Sequence, residues 1–153
     1  MKVSIRKAHI KDTPQIQDLI AVFAKQDLML SRSLMDIYEN IRDYFVAVKG
    51  KKIIGCCALH ICWENLAEVK ALAVDESEHG SGTGKKLVSA CIKEAKALRI
   101  KKVFCLTYIT DFFKKFKFKK ISKQKLPHKI WTECLQCPKF PNCDEQAMML
   151  KIR

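Results

Sequence analysis

The stretch Leu72-Ala73-Val74-Asp75-Glu76-Ser77-Glu78-His79-Gly80-Ser81-Gly82-Thr83-Gly84-Lys85-Lys86-Leu87-Val88 decides how the rest of the chain is read. It begins as the end of a strand-like run, Ala67 to Val74, and carries glycine at three alternate positions. It then opens a segment in which Leu87, Val88, Cys91, Ile92, Ala95 and Leu98 recur at helical spacing. A strand thus runs into a glycine turn, and the turn into an amphipathic helix. Glycine permits the backbone angles of such a turn and lets a phosphate approach the main chain. The N–H groups and dipole of a helix start favour an anion, and Lys85 and Lys86 add positive charge. A diphosphate is the natural guest, and a plain glycine-rich turn is the alternative. The spacing of a P-loop is absent, because Gly80 and Gly84 are too close and Lys86 is neither Ser nor Thr. A dinucleotide fingerprint is also missing, since no complete Gly-x-Gly-x-x-Gly occurs.

Upstream of the turn, Val3 to Ala8 reads as a strand. Asp12-Thr13-Pro14 then starts a helix, with Asp12 or Thr13 as cap, and Ile16, Leu19, Ile20 and Phe23 on one face. A second helix is expected near Ser33, carrying Leu34, Ile37, Tyr38 and Ile41. Tyr44 to Lys49 and Lys52 to Ile61 are β-rich runs joined by a Lys49-Gly50-Lys51 turn. Downstream, Lys102 to Thr107 is a strand, Thr110 to Lys117 a short helix, Phe118 to Ile121 a short strand, and Ala147 to Ile152 a closing strand. The order β-α-α-β-β-β-α-β-α-β-β predicts an α+β fold, a mixed sheet flanked by helices. At 153 residues one domain spanning 1–153 is expected, with a cysteine-rich loop at 127–143.

The formal charge of +13 invites an anionic partner. The basic residues are nearly all Lys and are spread out, only Lys114 to Lys120 being dense, and no nucleic-acid module appears. Nucleic acid is therefore not the expected partner. No apolar run reaches the length of a membrane span, and Met1-Lys2-Val3-Ser4-Ile5-Arg6 lacks a signal core, so a cytoplasmic protein is expected. Cys56, Cys57, Cys62, Cys91 and Cys105 sit in apolar runs and are expected to pack as small hydrophobes.

The strand, acidic turn and His79-Gly80-Ser81-Gly82-Thr83-Gly84 resemble the acetyl-CoA signature of GNAT N-acetyltransferases, Arg/Gln-x-x-Gly-x-Gly/Ala. His79 replaces the usual Arg or Gln. The element order is that of the GNAT fold over nearly the whole chain. Phe112-Phe113-Lys114-Lys115-Phe116-Lys117-Phe118 is similar to the family's Phe-Tyr-x-Lys-x-Gly-Phe, with Phe113 in place of a Tyr general acid and Lys117 in place of Gly. Arg32-Ser33-Leu34, Tyr38 to Asp43, Gly55 to His60 and the tail Leu126 to Glu145 resemble short single-domain N-acetylglutamate synthases. That resemblance implies acetyl transfer from acetyl-CoA to the α-amine of L-glutamate, the first step of arginine biosynthesis. It also implies an acetyl-CoA site at Leu72, Ala73 and Val74, whose backbone would meet the pantetheine arm and the thioester oxygen, and at His79, Gly80, Ser81, Gly82, Thr83, Gly84 and Lys85.

Strand alternation would put Glu68 on the face of Lys70, Leu72 and Val74, where it could act as general base; an ordinary solvent-facing glutamate is the alternative. Tyr108, at the end of the next strand, is the remaining candidate acid for the leaving thiolate, unless it is a core or rim tyrosine or the thiolate departs unaided. A dicarboxylate acceptor needs cationic donors, and Arg32, Arg42 and Lys70 are the candidates, against solvated helix-face roles for the arginines and pairing with Glu68 for the lysine. His60 is read as a satisfied core histidine. Cys134, Cys137, Cys143 and His128 form a Cys3His set that could hold a structural zinc; the competing reading is three reduced cysteines in a loop packed by Phe140 and Trp131. Other functions stay open: a GNAT enzyme for another amino acid, a polyamine or a protein N-terminus, a non-catalytic acyl-CoA sensor, or a metal- or nucleic-acid-binding module. The oligomeric state is open too, a homodimer included.

Overall fold

The computed structural model describes residues 2–126 and 145–152. Their contacts fall into two compact units, Met1–His60 with Val69–Glu94, and Ile61–Glu68 with Ala95–Arg153. The strands form a mixed seven-stranded sheet in the order β1-β2-β3-β4-β5-β7-β6.

In the first unit, β1 (Val3–Lys7) runs antiparallel to β2 (Tyr44–Lys49), and β2 antiparallel to β3 (Lys52–Trp63). Gly50, at φ 66, supplies the left-handed residue of the tight turn between them. Helices α1 (Thr13–Ala24) and α2 (Leu34–Glu39) bring Ile16, Leu19, Ile20 and Ile37 onto Tyr44, Val46, Cys56 and Ala58 of the sheet. Each large aliphatic side chain buried there stabilises the fold by roughly 1.5–3 kcal/mol. The Ser33 hydroxyl caps α2 by accepting the Asp36 N–H at 3.0 Å.

In the second unit, the start of β4 (Leu66–Val74) pairs in parallel with β5 (Lys102–Thr107), and β7 (Gln146–Lys151) lies antiparallel to both β5 and β6 (Lys119–Ile121). Its core is Leu66, Phe104, Leu126 and Ala147. Helix α3 (Thr83–Ala97) follows the glycine turn, and α4 (Thr110–Lys114) sets Phe113 edge-on to both Phe112 and Phe118.

The element order is the one expected. Helix α4 stops at Lys114, short of the expected 117, because the chain enters the left-handed region at Lys117, φ 71. That is the position where the family pattern has Gly, and the backbone angle gives the reason. Asp12 does not cap α1 through its side chain. Its carboxylate is taken by Arg6, at 2.7 and 3.1 Å, and by the His9 N–H at 2.7 Å. A 3-10 turn, Ile10–Asp12, precedes the helix instead. Further 3-10 turns that periodicity did not reveal are Ile41–Asp43, Glu76–Glu78 and Lys123–Lys125.

Candidate active site

Strand β4 ends at Val74, and Asp75 turns the chain by accepting the Ser77 N–H at 3.0 Å and the Ser77 hydroxyl at 2.7 Å. These bonds to the carboxylate, with the nearby Lys52 ammonium, hold Asp75 below the usual carboxylate range. One 3-10 turn later comes the glycine loop. Gly80 and Gly82 stand at φ 82 and 86, which L side chains rarely adopt. A Cβ built on either glycine meets nothing within 4 Å. Packing inside the protein therefore does not demand these glycines. The backbone angle does, and the space over both is open to an approaching group.

The Lys86 N–H bonds to the Gly82 carbonyl at 3.1 Å, so Gly82 is the last residue before the helix. The N–H groups of Gly82, Thr83, Gly84 and Lys85 have no partner inside α3. Ser81 is fixed by its hydroxyl, which donates to the Glu78 carbonyl at 2.6 Å and meets Thr83 Oγ1 at 2.9 Å. Lys49 pairs with Glu78 at 3.1 Å, neutralising the acidic residue nearest the glycines. The result is a loop tied by these bonds, with a row of main-chain donors and two exposed lysines, Lys85 and Lys86, at its end. That donor set fits a diphosphate.

Strand β4 itself is irregular. Its ladder with β5 has three pairs, Leu66↔Lys102, Ala67↔Val103 and Glu68↔Phe104. Three residues further on, Ala71 sits at φ 56, a left-handed angle in mid-strand. The residues expected on one face, Glu68, Lys70, Leu72 and Val74, are of mixed burial. Burial divides them: Glu68 and Val74 are buried, Lys70 and Leu72 half-buried, while Ala71 and Ala73 join the core of the first unit. Glu68 is not a solvent-facing glutamate, being 8% exposed. Burial, together with the charges of Glu68 and Glu145, pushes the Cys105 thiol far above its ordinary range. Tyr108 is half-buried just beyond β5, where the Ile109 N–H bonds to Thr107 Oγ1 at 2.9 Å.

The chain belongs to the GNAT acetyltransferase family. The family model for acetyltransferases of the GNAT kind matches residues 10–118. An uncharacterised N-acetyltransferase of Chlorobaculum tepidum is 39% identical over 145 residues, covering 95% of this chain and 94% of its own. An amino-acid acetyltransferase of Mycobacterium tuberculosis is 31% identical over 132 residues, covering 84% and 75%. Among solved structures, a Mycobacterium tuberculosis protein in complex with CoA superposes with a TM-score of 0.85 at 27% identity, over 98% of this chain and 99% of that one. The N-acetylglutamate synthase of Neisseria gonorrhoeae, complexed with coenzyme A and N-acetyl-glutamate, shares the fold, with a TM-score of 0.89 at 24% identity over 100% of this chain and 36% of that one. The protein is thus an acetyl-CoA-dependent GNAT acetyltransferase.

In this GNAT domain the acceptor candidates Arg32 and Arg42 flank α2, and Lys70 lies on β4. The Arg32 side chain is 9% exposed and its Nη1 reaches Asp36 Oδ2 at 3.4 Å. Arg42 is exposed in the Ile41–Asp43 turn, and its carbonyl accepts from the Lys7 ammonium. Lys70 is half-buried, and its carbonyl accepts the Cys57 thiol at 3.7 Å. His60 is not a core histidine: it is half-buried, with Nδ1 2.7 Å from Asp43 Oδ2. Arg32, Asp36 and Asp43 all act electrostatically on Tyr44, whose phenol burial lifts well above its ordinary range. Sequence reasoning missed Asp36 and Asp43 as members of this cluster. The signal was there in the β2–β3 register, where Tyr44↔Ala58 continued outward sets the Arg42–Asp43 turn opposite His60.

Among the described residues no group of three or more His, Cys, Asp or Glu side chains could hold a metal ion. Cys134, Cys137, Cys143 and His128 lie outside the described residues. No helix among the described residues is long and apolar enough to cross a membrane.

Proposed function

We propose that this GNAT enzyme transfers the acetyl group of acetyl-CoA to the α-amine of L-glutamate. The observation that carries the acetyl-CoA half is the loop at Gly80 and Gly82, with left-handed glycines and open space over both, at the start of α3. His79, Gly80, Ser81, Gly82, Thr83, Gly84 and Lys85 hold the diphosphate. We assign to the main chain of Leu72, Ala73 and Val74, on β4 beyond the last β4–β5 pair at Glu68, the alignment of the pantetheine arm and the polarisation of the thioester carbonyl.

Glutamate as acceptor is supported by relatives named amino-acid acetyltransferase and by a structural neighbour complexed with N-acetyl-glutamate. The half-buried cations Arg32 and Lys70, with Arg42, hold the two carboxylates. Glu68, buried in β4, takes the proton from the acceptor ammonium, directly or through water. The freed amine attacks the thioester carbon, the C–S bond breaks, Tyr108 gives its proton to the thiolate, and the Tyr108 phenolate takes the surplus proton of the new amide nitrogen. The reaction belongs to arginine biosynthesis. Thiol release from acetyl-CoA, measured with a panel of amino acids and polyamines, tests this reading. Release with glutamate supports it, and release with polyamines but with neither glutamate nor glutamine overturns it.

A further inference from the structure

We infer that Asp36 is a positioning residue, which holds the Arg32 guanidinium in place for a carboxylate of the acceptor. This rests on the reading of glutamate as acceptor and of Arg32 as one of its contacts.

Arg32 stands just before α2, and its side chain is 9% exposed. A guanidinium keeps its charge, so one covered to this degree calls for an anionic neighbour. Asp36 supplies it one helical turn on, where Arg32 Nη1 reaches Oδ2 at 3.4 Å. The main chain is tied down at both residues. Gln17 Nε2 of α1 donates to the Arg32 carbonyl at 3.2 Å, and the Asp36 N–H donates to the Ser33 hydroxyl at 3.0 Å.

The chemistry of the pair needs a carboxylate. The second oxygen of Asp36, Oδ1, accepts from Asn40 Nδ2 at 3.2 Å, and the same Nδ2 donates to the Asp36 carbonyl at 2.8 Å. Each carboxylate oxygen thus serves one donor. An asparagine at 36 has a single side-chain oxygen, and its NH2 would face a second donor. Asn40 therefore sets the direction of the carboxylate, and the carboxylate sets that of the guanidinium. An arginine side chain is long and rich in rotamers. Ordering it before the acceptor arrives removes that cost from binding.

Asp36 also carries the same sign as the acceptor's carboxylates. Its side chain is 39% exposed, so water screens that repulsion, whereas the hydrogen bond to Arg32 acts at contact. Positioning therefore outweighs masking, and loss of the Asp36 charge weakens acceptor binding.

Steady-state acetylation of glutamate at saturating acetyl-CoA tests the inference in wild type, Asp36→Asn, Arg32→Ala and the double variant. Asp36→Asn should raise the KM for glutamate about five- to twentyfold, the size of one partly exposed charge-assisted contact. It should leave kcat and the KM for acetyl-CoA within about twofold of wild type, the pattern of lost uniform binding. Arg32→Ala should raise the glutamate KM by more, and in that background Asp36→Asn should add no further rise, because Asp36 acts through Arg32. Asp36→Asn keeps the N–H bond to Ser33 and an oxygen for Asn40, and a thermal melt confirms the fold. Damage to α2 alone would instead add the same loss in both backgrounds. An equal rise in both, or an unchanged or lowered KM in Asp36→Asn, would overturn the inference while leaving glutamate as acceptor. A wild-type KM in Arg32→Ala would overturn the role of Arg32 and the inference with it. Absence of glutamate turnover by wild type would overturn the reading of the acceptor, on which both depend.

Discussion

Replacing Gly82 with valine separates what the glycine does for the fold from what it does for the ligand. At φ 86 an L side chain is strained by about 1–2 kcal/mol, and a β-branched one sits at the upper end. A Cβ there meets nothing within 4 Å, so no clash is added to that strain. For a chain of 153 residues, about 2 kcal/mol lowers the melting temperature by roughly 4–8 °C and leaves the protein folded. The ligand has no such tolerance. Valine projects into the open space over the turn, and two charge-assisted main-chain bonds to a diphosphate are worth about 1.5–3 kcal/mol each. Their loss weakens acetyl-CoA by roughly 100-fold or more. Calorimetric titration with acetyl-CoA, beside a thermal melt, reads both quantities on one sample. A folded Gly82→Val protein with wild-type affinity would refute the assignment of the turn. A protein that failed to fold would refute the claim that the glycine is free of internal packing.

Other consequences can be measured separately. Lys117→Gly relieves the left-handed strain at φ 71 and should raise the melting temperature by roughly 2–4 °C, about 1 kcal/mol, in a thermal melt. Glu68→Gln should slow glutamate acetylation at neutral pH and recover part of the rate at high pH, where more acceptor amine is already neutral; a flat ratio across pH would exclude the base role. Asp12 is held below the usual carboxylate range by its hydrogen bond to Arg6, so the pair's contribution is present above the unfolded carboxylate value and is lost as pH falls through the lower folded one. Denaturant melts of wild type and Asp12→Asn should therefore converge in strong acid and diverge as pH rises towards neutrality. Burial pushes the Cys56 thiol up to about 12, so it should resist thiol reagents in the native protein at mildly alkaline pH, while half-buried Cys62 reacts sooner, as peptide mapping would show.

Much of this was legible in the residues because local and global signals agreed. The turn from Val74 to Lys85 announced itself by glycine spacing, and the structure supplies the left-handed angles that spacing implied. The helix start near Ser33, the Gly50 hairpin and the apolar run of β5 followed from side-chain chemistry. What escaped was set by tertiary contacts. Nothing in Glu68-Val69-Lys70-Ala71-Leu72 marks Ala71 for a left-handed angle, because alanine has no preference for it. Asp12 looked like a helix cap, but the distant strand residue Arg6 offered a stronger charge-assisted partner. His60 sat in a long apolar strand and looked like core, until the sheet register brought Asp43 beside it.

The most direct test of the central proposal follows the acetyl group itself. Purified protein is incubated with acetyl-CoA labelled with carbon-13 in both acetyl carbons and with unlabelled L-glutamate, and the products are resolved by mass spectrometry and NMR. The expected product is N-acetylglutamate bearing both labelled carbons, with the labelled carbonyl in an amide to the α-nitrogen and one free CoA released per product. Labelled acetate as the sole product, or label transferred to other amines while glutamate stays unmodified, would contradict the proposal.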